Sequence, residues 1–459
     1  MKKLLCCLLC GLLLIGCAAP AFAASAGEDF TPVLRFVACS DTHISDSDDT
    51  NEHRIRKMME LAYDVAESDP AYTAVDALLI AGDLTNDGTK TEFDRFWAAV
   101  SGSLREGTQF LGVVAKNHDG YEMKRAELRG YYKSLSGNDA DFHAVINGYH
   151  FIGLSASEND AAHYDAGQLS WLKAQLDAAT AEDPHKPVFF MHHEHVRGTV
   201  YGSSLYDGWG ITRFTSILNQ YPQIVDFSGH SHYPLNDPRS IWQGGFTAVG
   251  TGAITYSEFT IDAIRTYHPA DSRATASCWI VELDADSNLR LRGYDVNEGA
   301  LLCEEMLQNP ADPANRDYTP AKREAASKPP VFAEDAVLTL ETDFGACTVT
   351  VPAAQSADGL PVVLYRVVVK DSLGLPVCKD WILPSYYRAI PQETVSKTLT
   401  DLPAGAYTVS VVAENAYGMQ SAPLQATVQV EGESGVRGLF VRISALFNTI
   451  KEFFVRLFW

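Results

Sequence analysis

Five short stretches bring together side chains that could bind a cation or move a proton. They are Asp41-Thr42-His43, Gly82-Asp83-Leu84-Thr85-Asn86, Asn117-His118-Asp119, His192-His193 and Gly229-His230-Ser231-His232. Their carboxylate, amide and imidazole groups suit borderline first-row cations such as Mn, Fe, Zn or Co. No Cys thiolate stands among them, so they do not describe a structural zinc knot. All 13 His fall between His43 and His268. Taken singly, each stretch has a plainer reading. An Asp-x-His is usually a turn, an Asn-His pair a loop, and a His-His beside apolar residues a core histidine bonded to backbone. Their common position changes that.

Each stretch directly follows an apolar run that reads as a buried strand. The runs are Val33 to Cys39, Ala77 to Ala81, Phe110 to Val114, Val188 to Met191 and Ile224 to Phe227, with a further run at His150 to Leu154. Helical patterns at Glu52 to Glu67 and Thr91 to Val100 lie between the first three. Strands alternating with helices predict βαβ units and α/β layers. Such folds gather ligand-binding groups just past the carboxyl ends of their strands. Five successive strand ends therefore deliver their polar groups to one rim.

In this order the five blocks resemble the calcineurin-like metallophosphoesterases, over roughly Phe36 to Val296. The resemblance implies a four-layer α/β/β/α sandwich that binds two divalent or mixed-valence transition-metal ions (Mn, Fe, Zn or Co). It assigns Asp41, His43, Asp83 and His232 to one ion, and Asp83, Asn117, His192 and His230 to the other, with Asp83 bridging. A bridge must be a carboxylate, because a neutral imidazole nitrogen has one lone pair. Two cations ~3.5–4 Å apart lower the pKa of a shared water and clamp phosphoryl oxygens during in-line displacement. The implied reaction is hydrolysis of a phosphomonoester or phosphodiester by hydroxide held on the metal pair. In the same pattern His118 protonates the leaving oxygen and Asp119 orients it; the plainer role for His118 is a hydrogen bond to substrate phosphate. A rival of another class is a non-catalytic adhesion protein with a vestigial phosphoesterase domain, against which the full ligand set argues.

The sequence departs from the family pattern in several places. Lys116 stands where a Gly usually precedes Asn-His; it would be strained by about 1 kcal/mol if the position needs a left-handed backbone, or its ammonium reaches the phosphate. His192, first after its strand, is favoured as ligand over His193, with His193 or His195 behind it. Asn86 stands three residues after Asp83, where purple acid phosphatases carry an iron-binding Tyr, and those enzymes lack His43. The sequence thus falls outside the purple branch, and no tyrosinate-to-iron colour is expected. Asn-His-Asp in place of Asn-His-Glu weighs against the secreted 5′-nucleotidases.

The 459 residues include 36 Lys+Arg and 58 Asp+Glu, a net charge of −22. That balance excludes a nucleic-acid-coating role, which wants a basic face, but not a phosphate-ester substrate, whose charge a bound metal offsets locally. The length predicts two to three domains. Residues 1–23 read as a signal peptide, with a basic start, a short apolar core and Ala21-Phe22-Ala23 before the cut. Leu14-Ile15-Gly16-Cys17 also resembles a lipobox, so the exported product is expected as an extracellular protein or a cell-surface lipoprotein. Outside that segment five Cys remain, Cys39, Cys278, Cys303, Cys347 and Cys378; odd in number and widely spaced, they form no disulfide framework.

The catalytic domain is expected over 31–300, followed by a Pro-rich charged linker over 301–330. Residues 331–430 switch to period-two runs, such as Thr348 to Val351 and Tyr407 to Ala413, which predict a small all-β sandwich. Leu402-Pro403-Ala404-Gly405-Ala406-Tyr407, running on to Tyr417-Gly418, resembles the sixth strand of fibronectin type III domains and gives Tyr407 the corner-tyrosine role. Residues 436–459 read as an amphipathic helix. Arg442, Lys451 and Arg456 among the apolar residues of 438–459 suit an anionic membrane surface, and the other reading is a helix packed on its own protein. No basic cluster or aromatic cage near the five blocks singles out one phosphate ester, and no feature fixes the oligomeric state.

Overall fold

The structure is a computed structural model that describes residues 30–157, 164–203, 210–262, 265–390 and 392–432. The expected export segment and the expected helix over 436–459 lie outside these residues. Among the described residues no helix is long and apolar enough to cross a membrane.

Strands β1 (Pro32–Cys39), β2 (Ala77–Ala81) and β3 (Gln109–Val113) pair in parallel. Helices α1 (Thr50–Glu67) and α2 (Lys90–Ser101) link them, and α3 (Arg125–Ser136) follows. Thr89 and Glu92 close α2 with a reciprocal capping box, which satisfies two otherwise orphaned N–H groups. A second sheet takes β4 (Phe142–Ile146), β5 (Tyr149–Gly153), β6 (Val188–Glu194), β7 (Ile224–Gly229), β8 (Ile241–Gln243) and β9 (Thr247–Gly250) in the order β4-β5-β6-β7-β9-β8. Helix α4 (Ala166–Glu182) covers its outer face. After a hairpin, β10 (Phe259–Asp262) and β11 (Arg265–Tyr267), the chain returns to the first sheet. There β12 (Ser277–Asp284), β13 (Leu289–Asp295) and β14 (Ala300–Leu307) complete the order β14-β13-β12-β1-β2-β3.

The period of two explains the layers. In β1, Val37 and Cys39 face α1 and α2, while Phe36 and Ala38 face the second sheet. Phe36 meets Phe151, Phe189 and Phe227 edge-on, with ring centroids 4.9–5.7 Å apart. Beyond the second sheet, Phe190 and Val188 pack on Leu172 and Leu176 of α4. Helices, sheet, sheet and helix thus stack as the expected α/β/β/α sandwich.

One boundary is corrected. The stretch 301–330, expected as a linker, begins inside the catalytic domain: β14 pairs with β13 from Ala300 to Leu307, and Tyr318 is buried in the inter-sheet core. Its Pro and charged residues masked an edge strand, whose outer side carries charge because it faces water. The connection proper is a short helix, α5 (Pro320–Ala326), capped by Thr319.

The second unit is all β. Strands β15 (Thr339–Asp343), β16 (Ala346–Pro352) and β19 (Thr394–Leu399) form one sheet. The other takes β17 (Val362–Asp371), β18 (Pro376–Ile382), β20 (Gly405–Asn415) and β21 (Leu424–Val430). The Tyr407 hydroxyl donates to the Pro403 carbonyl at 2.7 Å.

Candidate metal centre

The loops after β1, β2, β3, β6 and β7 converge on one spot. The first two are zipped together: Asp41 N–H donates to Gly82 O and His43 N–H to Asp83 O, both at 3.0 Å. His230 N–H donates to Asp41 Oδ2 at 2.9 Å and draws in the loop after β7. Eight non-glycine residues among those described have left-handed backbone, and five are Asp41, His43, Asp83, His230 and His232, with φ from 40° to 71°. Such strain persists only where the surroundings enforce it, and it gathers at functional sites. Two glycines make room: a Cβ on Gly82 (φ 83°) would lie 2.6 Å from His193 Nδ1, and one on Gly229 2.6 Å from Asp41 Oδ2. Lys116 is not among the left-handed residues, so the strain weighed for it is absent.

Ligand atoms of three trios each lie within 4.8 Å of one another: Asp41, His43 and His232; His43, Asp83 and His118; Asp83, His193 and His230. His232 Nε2 is 3.1 Å from Asp41 Oδ1. Asp83 Oδ2 faces both sides, 3.7 Å from His43 Nε2 and 3.2 Å from His193 Nε2. Asn117 brings its amide to the same oxygen at 3.1 Å. Asp41, His43, Asp83, Asn117, His230 and His232 are thus brought together at this spot.

His192 is not, and this is a correction. It points away from the centre, with Nε2 3.0 Å from Asp226 Oδ1 and its ring against Phe190 and Phe214. His193 stands beside Asp83 instead, with Nε2 3.2 Å from Oδ2. The cause is the strand period: Phe189 and Met191 face the inter-sheet core, and His193 continues that side as β6 reaches the site. His192 continues the side of Val188 and Phe190. His195 is fixed behind the ligands between Ser228 Oγ (2.9 Å) and Ser231 Oγ (2.7 Å).

The role expected of Asp119 is also corrected. It does not touch His118. Its Oδ1 accepts from Thr85 N–H and Thr85 Oγ, both at 2.9 Å, and its Oδ2 from Ala115 N–H at 2.8 Å. It staples the loop after β2 to the loop after β3, and burial with Asp83 nearby pushes its carboxyl up to about 6. His118 is oriented by a carbonyl the sequence reading missed: its Nδ1 lies 2.7 Å from Asn86 O. A carbonyl only accepts, so Nδ1 carries the hydrogen and Nε2 is left for the site.

The donors fit cations. Asp41 Oδ1, His43 Nε2, Asp83 Oδ1, Asn117 Oδ1 and His232 Nδ1 are buried without a hydrogen-bond partner. Each such orphan costs about 1–3 kcal/mol unless something else satisfies it; His192 and Asp226, away from this spot, also carry orphaned atoms. The donor set at this spot divides into Asp41, His43 and His232 on one side and Asn117, His193 and His230 on the other, with Asp83 between them.

Charge sets a pH dependence for filling the site. Burial opposes a proton on His193, but Asp83 outweighs it, and with Asp41 and Glu194 holds the imidazole well above the usual histidine range. His230 is pushed the other way, to about 4, by burial and by its neighbour His193. A proton is thus favoured on His193 and disfavoured on His230. Since a ligand imidazole must be neutral, metal uptake is expected to release the proton held on His193, and affinity to rise with pH. Titration calorimetry in buffers of different ionisation enthalpy reads that proton; no buffer dependence would contradict the assignment of His193.

Residues 34–234 match the family model of the Calcineurin-like phosphoesterase. No curated protein matches the chain. Among solved structures, a purple acid phosphatase from yellow lupin (Lupinus luteus) is 14% identical with a TM-score of 0.44, covering 60% of this chain and 54% of its own. The chain thus spans about half the length of that enzyme. A putative 5′-nucleotidase from Staphylococcus aureus is 12% identical with a TM-score of 0.33, covering 74% of each chain. A human fibronectin type III domain is 18% identical with a TM-score of 0.17, covering 25% of this chain and 81% of its own.

Proposed function

We propose that the protein is an exported, surface-associated phosphoesterase that hydrolyses a phosphomonoester or phosphodiester with two transition-metal ions at Asp83. The observation that carries this reading is the cluster of buried, unpartnered donor atoms around that carboxylate. When bound, the ion pair supplies Lewis-acid stabilisation of the phosphoryl oxygens and a nucleophile at neutral pH. Asp41, His43 and His232 would hold one ion, Asn117, His193 and His230 the other, and Asp83 both. His118, tied through Nδ1 to Asn86 O, would act with both ring nitrogens protonated, giving its Nε2 proton to the departing oxygen and returning to the neutral Nδ1–H form. Manganese-reconstituted protein should cleave a generic aryl phosphomonoester or diester. Cleavage of neither would turn the reading toward a binding protein.

His118→Ala separates acid catalysis from phosphate binding. A general acid is worth about 10²–10⁴-fold, and most for a poor leaving group. The variant should lose on that order with an alkyl phosphate and far less with a nitrophenyl ester. Equal losses would reduce His118 to a phosphate contact.

Export rests on residues 1–23, and surface association on the basic amphipathic pattern of 438–459. The all-β unit is read as fibronectin type III-like from its three- and four-stranded sheets and the Tyr407 corner bond, a module that spaces catalytic domain from tail. The full mature chain should float with anionic liposomes, and a chain lacking Gly438 to Trp459 should not. Unchanged flotation would end the anchor reading.

A further inference from the structure

Aromatic rings make a chain of successive contacts that runs through the centre from Tyr121 to Tyr256. Tyr121 lies 5.0 Å from His118, His118 4.3 Å from His43, His43 6.2 Å from Tyr256, and Tyr256 5.4 Å from His268, centroid to centroid. Tyr256 also packs on His232 at 4.2 Å. Tyr121 is 59% exposed, although large aromatic rings usually bury their surface. Neither tyrosine belongs to the ligand set.

The Tyr256 wall is fixed in place. Its loop donates to the ligand loops: Ile254 N–H to Ser40 O and Thr255 N–H to Asp41 O, each at 3.2 Å, and Glu258 N–H to His232 O at 3.0 Å. The hairpin that follows is gripped by the all-β unit. Phe259 packs on Tyr387 at 4.8 Å and Tyr267 on Trp381 at 4.7 Å. The Tyr387 hydroxyl donates to Asp271 at 2.7 Å, where Arg388 joins it at 3.1 Å. Rigid rings placed in advance are what a binding wall needs, because little freedom is lost when a ligand arrives.

We propose that Tyr121 and Tyr256 form a subsite for an aromatic or heteroaromatic ring on the leaving group of the substrate. This rests on the phosphoesterase reading and narrows its substrate class to aryl-bearing phosphate esters. The ring lies against these tyrosines while the phosphoryl group sits at Asp83.

Binding of two phosphonates to the manganese-loaded full chain tests it without turnover. Benzylphosphonate and cyclohexylmethylphosphonate carry the same charge and nearly the same bulk, and differ in aromaticity. Calorimetry should give roughly three- to tenfold tighter binding of the benzyl compound. The preference should fall to about one in Tyr256→Leu and in Tyr121→Leu, which keep apolar bulk and remove the ring. Tyr121 is largely exposed, so that variant leaves the core intact should Tyr256→Leu fold poorly. Equal affinities in the wild type, or a preference that survives both substitutions, would overturn the subsite. Turnover distinguishes the two readings: ester cleavage without ring preference sinks the subsite alone, while ring preference without cleavage of any ester sinks the hydrolase reading and leaves the subsite standing.

Discussion

Asp83→Ala should abolish phosphoester hydrolysis, lowering kcat/KM by on the order of 10³-fold or more. Asp83 is the carboxylate set between the two donor groups, 3.7 Å from His43 Nε2 and 3.2 Å from His193 Nε2. Removing it takes a ligand from both ions together, and a two-metal clamp supplies several kcal/mol of transition-state stabilisation, at about 1.4 kcal/mol per tenfold in rate. Asp83→Asn separates charge from packing. It keeps the volume in a fully buried position but gives up the anionic oxygens that serve two cations. Both variants should be inactive, and the Asn variant should melt close to the wild type measured without metal. An active Asp83→Asn enzyme would show that no bridging carboxylate is required.

The second large effect is a contrast between adjacent residues. His193→Ala removes a metal ligand, so the folded protein should lose metal and activity. His192→Ala removes no ligand. It empties a fully buried site packed against Phe190 and Phe214, and a large-to-small change in a core costs about 2–5 kcal/mol. For a domain of this size that corresponds to a fall in Tm of roughly 10 °C, with metal content retained while the protein is folded. Thermal melts and metal analysis on the two variants give opposite patterns if the side chains point as described. Loss of metal in His192→Ala together with its retention in His193→Ala would reverse the assignment.

That contrast also marks where the sequence was legible. Strand, helix and block order were readable because buried parallel strands are continuous apolar runs, and each ends at polar residues. The resemblance carried by those blocks names seven candidate ligands, and all but His192 gather around Asp83. Position after the strand favours His192, whereas the alternation of sides along the strand favours its neighbour. Phe189, Met191 and His193 share one side of β6, so the period of two already pointed to His193. The orienting partner of His118 was out of reach for another reason. A backbone carbonyl has no signature in the sequence, whereas the neighbouring Asp119 offered a carboxylate that turned out to be committed to Thr85 and Ala115. The Tyr121–Tyr256 ring contacts were hidden in the same way, since they join residues more than a hundred positions apart through loops with no periodic pattern. Edge strand β14 was concealed by charge that an exposed sheet edge carries for solubility.

The most direct test is elemental analysis of the purified, folded chain after reconstitution with manganese, zinc or iron and removal of free ion. Two transition-metal ions per wild-type chain, falling in Asp83→Ala with the fold intact, are the expected result. A folded wild-type chain that retains no transition-metal ion at neutral pH would contradict the dinuclear centre, and the phosphoesterase reading with it.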